Sequence, residues 1–389
     1  MKISKHSFLI GSFLSLTSSV IHASSPLIQV GDNVNILFDG SSSLVWQSNL
    51  FYDDDTEEDE LMLLISPGFE ASVGNRLSVF NAYLAAHYEM QRFDKQSRLN
   101  DDYLHLKSVA SYRGARLDVN AEYSFDEEQT TAGEQGASIA DSNFIELDVT
   151  NARLSGVYTL SPKLSFEPGV RYHDRDFKDE ENRLADVELY SIPLDIFYEL
   201  TPKVDISFGY EYTFEEVGVS AVEDFHRESH YLNIGARGDL LPKLNGFFKV
   251  GYSSVNPEGS TRDTDNILGF NTDFTYLATP KLTAQLLLFR GFQVGSEGQS
   301  AENTSANLAL NYNITDNYAA RLFSNISYWD FKDGNDGQDF IYRSGFRFSY
   351  IPNQFWNFST GYTYMENDSN RLEQGYVNHI LDVSAALRY

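Results

Sequence analysis

The stretch that decides the fold is Thr201-Pro202-Lys203-Val204-Asp205-Ile206-Ser207-Phe208-Gly209-Tyr210-Glu211-Tyr212-Thr213-Phe214. Successive side chains of a β-strand point to opposite faces. Val204, Ile206, Phe208, Tyr210, Tyr212 and Phe214 therefore share one oily face. Asp205, Ser207, Gly209, Glu211 and Thr213 share a wet one. The Pro-Lys turn in front fixes φ near −65° and keeps the connection short. A short turn followed by a long alternating strand with an aromatic-rich apolar face is the pattern of a transmembrane β-barrel.

The unit recurs. Ser161-Pro162-Lys163-Leu164, Leu241-Pro242-Lys243-Leu244 and Thr279-Pro280-Lys281-Leu282 repeat it at intervals of about 40 residues. Looser versions stand at Gly74–Leu77, Arg113–Arg116, Thr315–Tyr318 and Pro352–Phe355. Between these turns lie longer polar connections such as Asp53–Glu60, Asp126–Asn143, Glu215–His226 and Lys332–Asp339. Nine long loops and eight short turns separate eighteen strands, running from residues 34–52 to 376–389. The expected fold is all-β, an antiparallel up-and-down transmembrane barrel of about eighteen strands with short periplasmic turns and long extracellular loops. A soluble sandwich would also alternate, but it would need a second core-forming set of strands, which the chain lacks. Pro168 and Pro193 fall inside strands, where proline marks a local distortion.

The termini agree with this reading. Lys2 and Lys5, the apolar run Phe8–Leu16 and Ile21-His22-Ala23 form a secretory signal over residues 1–23. Residues 24–33 are expected to be a short periplasmic segment and 34–389 the barrel. No segment has the ~20 consecutive apolar residues of a membrane-spanning helix. At the far end Leu381, Val383, Ala385, Leu387 and the terminal Tyr389 alternate with polar neighbours. This resembles the C-terminal signal read by the outer-membrane barrel-assembly machinery. The expected location is the outer membrane of a Gram-negative bacterium, in contact with lipid and lipopolysaccharide.

The net charge of −27 excludes nucleic acid as a partner, because phosphate binding needs clustered Lys and Arg. The 389 residues include no cysteine, so no disulfide framework is available. Tyr210, Tyr212, Tyr362 and Tyr364 are expected in the outer aromatic girdle and Trp356 in the inner one. The opposite parity faces the lumen and includes Arg171, Asp205, Glu211, Lys249, Arg321, Arg343, Arg347 and Asp382. These charges either pair across strands and keep the interior wet, or form rings that select ions and bind solutes. Eighteen strands enclose more room than side chains fill, so an aqueous channel is expected unless a loop folds inward. Asp126–Asn143 is the longest such loop.

Catalytic spacing is absent. The eight His residues form no Ser/His/Asp or His/Glu arrangement, so no enzyme and no cofactor is expected. The Asp333–Asp339 run lacks the spacing and distal Glu of a calcium loop, and the acidic run Asp53–Glu60 reads as solvated, so no metal site is assigned.

Ser66-Pro67-Gly68-Phe69, then Tyr83 with Tyr88, then Asn100-Asp101-Asp102-Tyr103 resemble the β-barrel porin type-2 family of exopolysaccharide gene clusters. The resemblance implies an outer-membrane conduit that passes a polysaccharide and works with a periplasmic export protein. It implies no catalytic residue. Beside export of an exopolysaccharide stand two other functions. One is a general or solute-specific diffusion porin. The other is a structural or adhesive barrel with acidic surface loops.

Overall fold

The computed structural model describes residues 26–31, 33–54, 57–75, 77–135, 144–178, 184–219, 222–258, 264–332, 337–371 and 374–389. The signal peptide expected at 1–23 lies outside them, as do Ser24 and Ser25 of the periplasmic segment.

The described residues are almost entirely strand. A short β1 (Ile28–Val30) precedes β2 (Val34–Gln47), β3 (Glu60–Val73), β4 (Phe80–Phe93), β5 (Asp101–Arg113) and β6 (Leu117–Thr131). Then come β7 (Phe144–Ser161), β8 (Leu164–Phe177), β9 (Ala185–Thr201), β10 (Val204–Val219), β11 (Val222–Leu241) and β12 (Leu244–Glu258). The chain continues through β13 (Asp265–Thr279), β14 (Leu282–Val294), β15 (Ser300–Asn313), β16 (Tyr318–Phe331), β17 (Gly337–Tyr350), β18 (Trp356–Ser369) and β19 (Tyr376–Arg388). Each strand from β2 onward pairs antiparallel with its sequence neighbours, and β19 pairs with β2. The eighteen strands β2–β19 thus close on themselves, and every edge finds a partner.

The opening stretch explains the repeat chemically. The hydroxyl oxygen of Thr201 accepts the Val204 N–H at 3.0 Å, and Thr279 does the same for Leu282. The lysine then reaches sideways: Lys281 Nζ donates to the Ile314 carbonyl at 2.7 Å, and Lys243 Nζ to that of Ala278 at 3.0 Å. The Thr201 and Thr279 turns thus cap themselves, and Lys243 and Lys281 tie their turns to the next hairpin. Leu241 has no hydroxyl for this task, and there Lys243 takes a left-handed backbone, φ 68°.

Alternation sorts the two faces. Ile206, Phe208, Leu232, Ile234, Leu268, Leu322, Leu381 and Val383 are exposed on the outside, while Ser207, Asn233 and Ser253 are buried on the inside. In a soluble protein so wide an exposed apolar belt would be unstable in water; on a closed barrel it faces lipid. The belt is bordered by aromatics. Tyr210 and Tyr362 bond His230 and His379, each at 2.9 Å, and Tyr212 and Tyr364 donate to Glu228 at 2.6 Å and Glu366 at 2.8 Å. At the turn end, Trp356 stacks on Phe358 and Tyr318 on Tyr350, with centroids 5.7 and 4.9 Å apart. Both girdles expected from the sequence are present.

Several expectations need correction. The first barrel strand ends at Gln47, not at residue 52, because residues 48–54 leave the wall. Glu215–His226 is not a long loop: β10 and β11 carry it as strand, leaving only residues 220–221 between them. Beyond the membrane both faces of a strand meet water, so polar residues there do not mean loop. Ile28–Val30 is strand, pairing with Val34–Ile36 and extending the edge that β19 leaves uncovered. Pro168 and Pro193 sit where ladders lapse: the β7–β8 pairing skips Glu167 and Pro168, and the β8–β9 pairing skips Ile192 and Pro193. A residue without an N–H cannot supply those bonds.

Candidate functional site

All eight lumen residues expected from the sequence lie on the inner face. On β8–β12 they form a continuous ionic wall. Arg171 pairs with Glu211, and Ser191 Oγ joins them, 3.1 Å from Arg171 and 2.8 Å from Glu211. Asp205 accepts from Arg237 Nε at 3.0 Å, while Arg237 Nη1 reaches Glu167 at 2.6 Å. The same guanidinium stacks on Phe197, 3.5 Å from its ring centroid. Lys249 Nζ is held by both carboxylate oxygens of Asp195 at 2.7 Å.

Lys249 on β12 and Asp195 on β9 meet across two intervening strands, and glycine makes this possible. A Cβ on Gly209 would stand 2.1 Å from Asp195 Oδ1, and one on Gly235 3.0 Å from Lys249 Cγ. Glu167, Asp195 and Arg237 were not singled out from the sequence. The same parity that marked Asp205 would have found them.

The remaining four expected residues lie on β16, β17 and β19. Arg321 faces Arg347 in register. Arg347 Nη2 donates to Asp382 at 3.0 Å and Nη1 to Ser359 at 3.1 Å. Arg343 lies within electrostatic reach of Tyr52, Glu134 and Tyr376.

These groups belong to the mouth, at the end opposite the short turns. Residues 48–54 fold inward from the end of β2. Asn49 and Asn378 bond reciprocally through side chain and backbone, at 3.1 and 2.8 Å. Leu50 and Phe51 are buried with Phe93 and Leu99, which contributes about 1.5–3 kcal/mol for each large apolar side chain. Tyr52 packs edge-on against Tyr376 with centroids 5.0 Å apart, and holds φ 56°. A non-glycine residue in the left-handed region stores strain that the surroundings must hold in place.

From four strands away, the turn after β6 meets this segment. Thr131 Oγ1 donates to the Phe51 carbonyl at 3.4 Å, and Thr130 Oγ1 to Glu134 at 3.2 Å. Burial pushes the Glu134 carboxyl above its ordinary pKa, against the pull of Arg343 and of the Thr130 hydroxyl. A second crossing joins the Ala185 N–H, at the start of β9, to the Ser296 carbonyl between β14 and β15, at 2.7 Å. Buried beside it, Arg227 Nε pairs with Glu215 at 2.9 Å, and Arg227 Nη1 donates to the Gln293 carbonyl at 3.2 Å.

Of the expected inward loop, 126–143, residues 126–131 are instead the end of β6; its last two residues and the turn at 132–135 supply part of the constriction, and residues 136–143 lie outside the described set. The other part is residues 48–54, which the alternation of the sequence assigns to a strand end and a loop. The acidic run Asp53–Glu60 is also not simply solvated. Glu60 is buried and accepts the N–H groups of Asp94, Lys95 and Gln96 at 3.0–3.1 Å. Of Asp333–Asp339, residues 333–336 lie outside the described set, and Asp339 pairs with the buried Arg371. Among the described residues no group of three or more His, Asp or Glu is placed to hold a metal.

A sheet closed by its own last strand, an apolar belt facing outward and charge facing inward fit one setting. The chain is a β-barrel of the Gram-negative outer membrane. The FrpB iron transporter from Neisseria meningitidis (F5-1 variant, apoprotein form) superimposes with a TM-score of 0.51 at 10% identity, over 87% of this chain and 62% of that one. This barrel therefore spans about 62% of the FrpB chain's length. Two Pseudomonas aeruginosa proteins are also similar. The outer membrane protein opdK matches at 12% identity over 91% of this chain and 99% of that one, TM-score 0.46. OccK5 (OpdH) matches at 12% over 91% and 98%, TM-score 0.48. No family model matches the chain. No curated protein sequence matches it either. The likeness is one of fold.

Proposed function

We propose that this barrel is a diffusion channel for small solutes, general or solute-specific, and not an enzyme. The observation that supports it is the pairing of an ionic, polar inner wall with a mouth narrowed by the protein's own segments. A pore lined by both signs of charge keeps water inside, and segments across its entrance set what size of solute enters. Export of an exopolysaccharide has the sequence resemblance in its favour. A continuous polymer, however, needs an unbroken bore, and the joined segments at the mouth oppose it. Passage of a small polar solute suits them better.

The test is reconstitution. Purified protein in a planar bilayer should give stepwise ion conductance, and proteoliposomes should swell in small neutral solutes with a sharp size cut-off. A bilayer that stays silent at every voltage, with correctly folded protein present, would sink the channel reading.

A further inference from the structure

The short turns meet their neighbouring hairpins in one repeated way. The carbonyls of Arg116, Lys163, Lys203, Lys243 and Lys281 accept the N–H groups of Thr159, Glu199, Asp239, Leu277 and Asn313 at 2.8–2.9 Å. Five consecutive turns, from β5–β6 to β13–β14, therefore carry a cation at the same place on the rim. Adjacent hairpins are two strand spacings apart, so the row repeats at about 10 Å. It stops there. The β15–β16 turn puts Asn317 at this place, next to Asp316, and the β17–β18 turn puts Phe355.

All five cationic residues are exposed, and among the described residues none of them forms an ion pair. Lys243 and Lys281 each give one ammonium donor to a carbonyl of the next hairpin, which leaves two of three. Of the carboxylates at this level, Asp118, Glu199 and Asp205 have the parity of the lumen face, and Asp239 accepts from the Asn245 amide at 2.9 Å. On the outside the row follows directly on the apolar belt. Leu117, Leu160, Leu200, Leu241 and Leu277 lie one to four residues from the five cations and are exposed. Tyr158, Tyr198 and Tyr276, also exposed, mark the level where hydrocarbon gives way to headgroups. The far ends of these strands carry the reverse sign: Glu127 faces Asp148, and Glu188 faces Asp174 and Glu216, with Lys178 seated on Asp148.

We propose that this row is a docking surface for anionic phospholipid headgroups of the periplasmic leaflet. The apolar belt fixes the depth of the barrel, so the layer that meets the five cations is the phosphate layer of that leaflet. A lipid of net negative charge gains the full attraction of the row, whereas a zwitterion brings its own cation to the same place. A lysine acts as a point charge and takes a phosphate oxygen from many directions, which suits a headgroup that stays fluid. The neutral half of the rim, at Asn317 and Phe355, has no such preference. The surface is independent of what the bore conducts.

The experiment is native mass spectrometry of the full, detergent-solubilised barrel titrated with phosphatidylglycerol, and with phosphatidylcholine as the zwitterionic control. Heat-modifiable gel mobility selects folded protein for each variant. The native protein should take up phosphatidylglycerol in preference. Arg116→Gln, Lys163→Gln and Lys203→Gln together remove three cations whose side chains bond nothing else among the described residues. This triple variant should weaken the apparent affinity about five-fold. Lys163→Arg with Lys203→Arg should retain it, and so should Lys178→Gln with Lys332→Gln at the opposite rim. The surface is overturned if phosphatidylglycerol binds no better than phosphatidylcholine, or if the triple variant binds it as well as the native protein. Equal loss in the Lys178, Lys332 variant would overturn it too, since net charge alone would then explain the binding. If inorganic phosphate at equal concentration displaces the lipid, the row binds free anions and the lipid reading falls. If isolated peptidoglycan, and not phosphatidylglycerol, is retained by the native protein and lost by the triple variant, the occupant is the wall polymer and the lipid reading falls as well.

Discussion

Tyr52 and Gly133 belong to segments that leave the barrel four strands apart, yet a Cβ on Gly133 would stand 2.5 Å from the Tyr52 carbonyl oxygen. Backbone meets backbone there, so no flexible side chain can yield. Gly133→Val should push the two segments apart at a cost of about 1–3 kcal/mol in local packing. The expected outcome is a larger single-channel conductance and faster protease nicking near residue 52. Unchanged conductance would mean that this contact does not narrow the pore.

Acid should favour the narrowed mouth. Glu134 holds its proton more tightly when seated than when free, because burial raises its pKa. A group of that sign stabilises the seated turn below its ordinary pKa, and the stabilisation is lost as pH rises through the raised value. Conductance should therefore be low in acid and climb with pH. Glu134→Gln, neutral throughout, should stay in the low state and flatten the curve. Bilayer recordings across the acidic range decide it.

Arg227 and Glu215 form a pair that is almost fully buried beside the second crossing. Arg227→Met would leave a carboxylate buried alone, at a cost of about 3–5 kcal/mol. The urea midpoint of the detergent-solubilised protein should drop, while Glu215→Gln combined with Arg227→Met should recover part of the loss.

Tyr389 is tied to Phe38 by two backbone bonds of 2.7 and 2.8 Å, and its ring packs on Phe355 with centroids 5.4 Å apart. We propose that it acts with Leu381, Val383, Ala385 and Leu387 as an assembly signal. Deleting Tyr389 should lower the folded, heat-modifiable fraction in outer-membrane preparations several-fold, and Tyr389→Phe should preserve it. Normal yield from the deletion would refute the signal.

The eighteen strands were legible because each alternates over a membrane-deep length and each hairpin begins at a recognisable turn. The lumen residues were legible for the same reason, since parity alone assigns Asp205 and Arg347 to the inner face. Partners were less legible. Nothing in the spacing of Lys249 and Asp195 says that Gly209 and Gly235 clear a path between them. The inward turn at residues 48–54 was hidden by its own composition: Leu50-Phe51-Tyr52 is as apolar as the strand it follows, and burial within the mouth selects the same side chains as burial in lipid. The strand tops at Glu215 and His226 misled in the opposite sense, because acidic residues suit a water-washed ribbon as well as a loop.

The seam between β19 and β2 has a consequence in time. One of its walls is the first strand of the barrel, β2, and the other is the last, β19. Until Arg388 and Tyr389 are delivered, β2 waits with a row of unpaired amides, and β1 covers only its first three residues. A chain cut short in synthesis would carry that raw margin into the periplasm, ready to pair with another copy. Delivery of β19 to β2 is thus the event that seals the cylinder, and a chain that lacks β19 declares itself by its open margin.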